Sequence, residues 1–119
     1  MIDPLEYKEI VAKLLEKTKA GKLPWFELEG QRSEQFYCDL ENQYMFLAWK
    51  SGDAYGLTMK DQTTPNEIFS VKAEEEIYFS DPKEKEKFEL LSSLYEAARR
   101  RALHVPERLA SVTALLDKI

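Results

Sequence analysis

Gln43-Tyr44-Met45-Phe46-Leu47-Ala48-Trp49-Lys50, then Ser51-Gly52-Asp53, then Ala54-Tyr55-Gly56-Leu57-Thr58-Met59 is the stretch on which the fold turns. Its first eight residues are apolar almost throughout, which over so short a run reads as a central strand covered on both faces. Ser51-Gly52-Asp53 is a turn, and the six residues after it alternate as a returning strand does. Working outward, Trp25-Phe26-Glu27-Leu28 and Phe36-Tyr37-Cys38-Asp39-Leu40 read as preceding strands. Asp61 to Asn66 is a polar loop, and Glu67 to Val71 and Glu76 to Phe79 are shorter strand candidates. Short links between successive strands dictate an antiparallel meander of about four to six strands rather than βαβ units.

Helical signals bracket this sheet. Asp3-Pro4-Leu5-Glu6 and Asp81-Pro82-Lys83-Glu84 repeat one pattern: a capping acid, proline at the first helical position and an acid at the third. The first helix then carries Tyr7, Val11, Leu14, Leu15 and Thr18 on one stripe, with Gly21 placed to close it. The second carries Phe88, Leu91, Leu94, Tyr95, Ala98 and Ala102, and Val105-Pro106 ends it. A further short helix from Pro106 places Leu109, Val112, Leu116 and Ile119 at three- and four-residue steps. That narrow apolar face must pack on the sheet, on the long helix or on another chain. The expectation is a single α+β domain over residues 1–119: an N-terminal helix, a central antiparallel sheet and two C-terminal helices.

Composition bounds the function. With 44% hydrophobic and 33% charged residues the chain is globular rather than disordered. The 22 acidic and 17 basic residues leave a net charge of −5, which disfavours nucleic acid and anionic membrane surfaces. No apolar run approaches a membrane span, Met1-Ile2-Asp3-Pro4 is unlike a signal peptide, and one cysteine allows no disulfide framework. A cytoplasmic protein is expected.

Catalytic and ligand motifs are weak. Cys38, the one thiol, lies in an alternating strand where a small buried hydrophobe is the ordinary role. His104, the one imidazole, ends a helix before Val105-Pro106, where exposure or carbonyl capping is ordinary. One His and one Cys do not make a zinc site, and Glu74-Glu75-Glu76 lacks calcium-loop spacing and reads as a solvated turn. The glycines at 21, 30, 52 and 56 build no phosphate-cradling loop, so no metal and no cofactor is expected.

Two further features admit a partner. Arg99-Arg100-Arg101 fan out around the long helix, where they solvate its end, or one of them, such as Arg100, meets an acidic surface. Trp49 reads as core and Trp25 as a plug at the helix-to-sheet junction. An exposed aromatic set would come from Tyr37, Tyr44, Tyr55 and Tyr78.

Lys17-Thr18-Lys19-Ala20-Gly21-Lys22-Leu23-Pro24-Trp25 and Leu94-Tyr95-Glu96-Ala97-Ala98-Arg99-Arg100 resemble a pattern in small, mostly uncharacterised bacterial and phage-type proteins. There a helix ending K-T-x-x-G-x-L-x-W leads into a meander and then a helix containing L-Y-x-x-A-R. The resemblance spans most of the chain and implies the same fold order in a bacterial, cytoplasmic setting. It implies no reaction and no binding residues.

The expected function is therefore a non-enzymatic interaction or regulatory module that binds another protein or itself. Its partner-binding residues would be Tyr44, Tyr55, Arg100, Leu109, Val112 and Leu116. An acidic immunity or inhibitor protein is its more specific form. Single-stranded nucleic-acid binding through an aromatic sheet face, and a small hydrolase using His104 with a carboxylate, are the alternatives.

Overall fold

The computed structural model describes residues 4–28, 35–64, 66–74 and 82–119. Helix α1 (Pro4–Lys19) is followed by β1 (Phe26–Glu27), β2 (Gln35–Leu40), β3 (Tyr44–Ser51), β4 (Ala54–Asp61) and β5 (Glu67–Glu74). Helices α2 (Pro82–Ala102) and α3 (Val105–Leu116) complete an α+β fold. The strands lie in the order β1-β2-β3-β4-β5, each antiparallel to the next, so the sheet is the expected meander with β3 at its centre. Both Pro-led helices start where the repeated Asp-Pro-x-Glu pattern puts them, although Asp3 and Asp81 lie outside the described residues.

Local chemistry sets the ends of these elements. Gly21, at φ 74, follows α1, and Lys22 N–H reaches back to Lys17 O at 3.0 Å, the closure that a left-handed residue permits. Ser51 pairs with Ala54 around Gly52, whose φ of 61 suits a two-residue hairpin. In the loop after β4 the Asp61 carboxylate accepts bonds from Thr63 Oγ1 at 2.7 Å and Thr63 N–H at 2.9 Å, which holds its pKa below the usual carboxylate value.

One face of the sheet carries the core. Phe36, Cys38, Phe46, Ala48, Leu57, Phe69 and Ala73 meet Leu91, Leu94, Tyr95 and Ala98 of α2. Helix α1 packs on α2 and adds Tyr7, Val11 and Leu14. Trp25 is buried at the junction, where its indole Nε1 donates to Thr18 Oγ1 at 2.8 Å, and that hydroxyl donates to Leu14 O at 2.6 Å. No buried side-chain polar atom among the described residues lacks a partner.

The helices α1 and α2 share one side of the sheet, yet Leu47 on the other side of β3 is also buried, as the apolar run of that strand predicts. Two expectations are corrected. Trp49 is not core: its register partner is Gly56, on the opposite face from Phe46 and Ala48, and it is only half-buried. β5 is a full strand of eight residues rather than a short one, and Glu74 belongs to it, in an ion pair with Lys72 at 3.1 Å. The proposed Glu76-to-Phe79 strand and the Glu75-Glu76 part of the acidic turn lie outside the described residues.

Candidate docking surface

α3 stands apart from this core. Among the described residues it packs mainly along α2, and none of its own residues is buried. The radius of gyration, 15.8 Å, exceeds the roughly 13.5 Å expected of a compact chain of this length. The link is short: Leu103 and His104 form a turn, and His104 sits in the left-handed region at φ 52, ψ 45. Pro106, in the first helical turn, suits the direction the chain then takes.

Exposure leaves an apolar stripe in water. Leu109, Val112, Leu115 and Leu116 are 56%, 50%, 59% and 62% exposed, and Ile119 is fully exposed. No other element of the described chain presents so many large aliphatic side chains outward. From Leu109 to Leu116 there is no charged residue; Glu107 and Arg108 precede that stretch, and Asp117 and Lys118 follow it. Contiguous apolar patches larger than a few hundred Å² are uncommon on monomeric proteins, whereas single exposed leucines are ordinary.

The start of α3 also borders a cleft of about 420 Å³ between the end of α1 and α2, lined by Lys19, Ser93, Glu96, Arg100, Arg101 and Pro106 among others. Of the arginine run, Arg101 turns across to α1 and donates to Gly21 O at 3.0 Å, while Arg100 is exposed on the cleft wall. Arg101 therefore ties two helices together, a role that sequence spacing cannot reveal because its acceptor lies 80 residues away.

The expected partner-binding residues separate into two groups. Leu109, Val112 and Leu116 come together on α3, and Arg100 stands in the cleft beside its first turn. Tyr55 does not join them. It lies on the core face with ring centroids 5.4 Å from both Phe88 and Tyr95, and with the Lys50 ammonium 5.5 Å from its own ring. Tyr44 is exposed at the start of β3, paired with Leu40 and Asp61 rather than with α3.

A second surface lies on the sheet face that α1 and α2 leave open. Register places Phe26, Tyr37, Leu47, Thr58 and Ser70 in one row across it, with Trp49 beside them; Leu47 and Thr58 are buried there, and Phe26 and Ser70 are exposed. The Phe26 and Tyr37 rings stand 5.6 Å apart, Trp49 Nε1 donates to Thr58 Oγ1 at 3.2 Å, and Thr58 and Ser70 hydroxyls are bonded at 3.0 Å. Tyr37 was an expected member of such a set. Phe26 and Trp49 were missed, although the alternation of the strands, once registered, places them there. Tyr78 lies outside the described residues.

The groups weighed for catalysis are far less concentrated. Cys38 has no solvent exposure, and burial pushes its thiol up to about 12, so it stays protonated and unreactive. His104 is exposed and does not line the cleft. Among the described residues no group of three His, Cys, Asp or Glu side chains could hold a metal ion, and no helix is long and apolar enough to cross a membrane. Compared with known proteins, the chain matches no family model, no curated protein and no solved structure.

Proposed function

We propose that this chain is a non-enzymatic protein-interaction module whose docking element is α3. The single observation that carries the reading is a twelve-residue helix with no buried residue and a continuous aliphatic stripe. A helix that short is marginal in water without tertiary packing, so packing against a partner supplies what its own chain does not. The uncharged centre of the stripe favours an apolar partner surface. It lends no support to the narrower reading of an acidic inhibitor that seizes a basic protein, since acids would then be expected at the contact. The bacterial, cytoplasmic setting implied by the sequence resemblance fits such a module.

A photo-reactive residue at Val112, expressed in the native cell, tests this. Covalent protein adducts are expected there and not from the same group at Lys13, on the exposed side of α1. Absence of any adduct at Val112 discards the reading.

The open sheet face favours one other reading, single-stranded nucleic-acid binding, because Phe26, Tyr37 and Trp49 offer stacking surfaces. The net charge of −5 and the pairing of Lys72 with Glu74 weigh against it. Titrating an oligonucleotide at low salt while following tryptophan emission decides it: binding must occur and must weaken on Tyr37→Ala.

A further inference from the structure

Resting on the docking role of α3, we infer that its occupant is a second copy of this chain, paired antiparallel through α3 itself. Val105, Leu109, Val112, Leu116 and Ile119 recur at steps of four, three, four and three. That mean of 3.5 residues is the repeat with which two helices keep one seam in contact. The four residues most available for a seam are Leu109, Val112, Leu116 and Ile119, since Val105 is already half-buried at the link. In an antiparallel pair they form complete layers: Leu109 against Ile119 of the second copy and Val112 against its Leu116, each layer occurring twice. Leu115 flanks the seam and widens it.

Charge narrows the choice of occupant. A charged partner surface would lose its hydration against eight uncharged residues and gain no ion pair. A membrane surface calls for a basic polar face, but α3 carries only Glu107 against Arg108, and Asp117 and Lys118 beyond its end also offset each other. What fits is another uncharged stripe of the same period, which a second copy provides. Area is sufficient as well. Five aliphatic side chains at half exposure or more offer roughly 500 Å² per copy, so a pair covers about 1,000 Å², near the lower bound for a specific interface.

Direction follows from shape and dipoles. In a parallel pair both bodies would meet at one end of helices whose axes stand only about 8–10 Å apart, although the narrowest extent of the molecule is 28 Å. Antiparallel pairing puts the bodies at opposite ends of a helix about 18 Å long and opposes the two macrodipoles. The last turn of one helix then passes the first turn of the other, beside the cleft that Arg100 and Pro106 line.

Sedimentation of the whole chain from low to high micromolar concentration should show a dimer. Leu109→Asp with Leu116→Asp should raise its dissociation constant by more than roughly a hundredfold, because each buried carboxylate is left unpaired. Near-UV circular dichroism should remain that of the native body, since neither residue touches the core. For direction, Leu109→Cys mixed with Ile119→Cys should form a disulfide-linked dimer under mild oxidation. Leu109→Cys alone should not, because its two copies lie about 15 Å apart along the helix, beyond the roughly 7 Å a disulfide spans. Cys38, fully buried, does not compete.

A monomer at every concentration overturns the inference, as does self-linkage of Leu109→Cys without the mixed product. A monomer that sediments with anionic lipid vesicles overturns it in favour of a membrane surface. A Val112 adduct to a different protein, with the chain monomeric, removes the self-pairing but keeps the docking role. No adduct at all removes both.

Discussion

Gly56→Ala probes the open sheet face directly. A Cβ at Gly56 would stand 2.7 Å or less from the Trp49 ring atoms Cε2, Cζ2 and Cη2, closer than carbon atoms pack. Trp49 is half-buried on the side away from α1 and α2, so its ring can swing away rather than the backbone moving. Lifting it strips about 60 Å² of ring from β4, worth about 1.5 kcal/mol at 25 cal/mol per Å². The bond from Trp49 Nε1 to Thr58 Oγ1, at 3.2 Å, is lost as well, at about 1 kcal/mol. Replacing a strand glycine with alanine returns about 0.5–1 kcal/mol, leaving a net loss of roughly 1.5–2 kcal/mol. In urea, with a slope of about 2 kcal/mol per molar, the midpoint should fall by a little under about 1 M. Trp49 emission should shift to the red, while the buried Trp25 stays unchanged. The decisive comparison is a double-mutant cycle with Trp49→Ala, where Gly56→Ala should become neutral or stabilising. An equal loss in both backgrounds would refute the account, because the ring would then not be what the new methyl meets.

Three other outcomes follow from the same geometry. Thr18→Val should cost about 1–3 kcal/mol in chemical unfolding by leaving the buried Trp25 N–H without its acceptor; Thr18→Ser should recover most of that, and a neutral Thr18→Val would remove this bond from the account of the core. His104→Gly should raise Tm, because a left-handed non-glycine residue at φ 52 costs about 1–2 kcal/mol and glycine gives back only part of that in entropy; a lower Tm would mean that the imidazole itself stabilises the link. Cys38 titrates near 9 when unfolded and at about 12 in the fold. Its contribution is fully present below pH 9 and is lost as pH rises toward 12, at about 1.4 kcal/mol per unit. Stability measured across that window should fall more steeply for the native chain than for Cys38→Ala, and equal slopes would contradict the burial of the thiol.

Much of the architecture is legible in the residues because helices and strands bury surface at different periods. Tyr7, Val11, Leu14 and Thr18 could line one side only of a helix, and all four are buried there. Pro4 and Pro82 open their helices because a missing N–H costs nothing in a first turn. The need of α3 for cover was also legible: a stripe as narrow as Leu109 to Ile119 called for the sheet, the long helix or another chain, and among the described residues none buries it.

What tertiary structure alone decided was sidedness. A strand as uniformly apolar as Tyr44–Ser51 gives no parity signal, so Phe46 and Ala48 inward is no more evident than Leu47 and Trp49 inward. Pairing settles it, since Phe36–Ala48 and Cys38–Phe46 set the face on which α2 lies, and every second residue then follows. That one choice carries Tyr55 into the core beside Phe88 and Tyr95 and sends Trp49 out over Gly56. Residue chemistry determined which elements form and which stripe would need covering. Where each side chain faces depended on contacts between residues far apart in the chain, which no local period records.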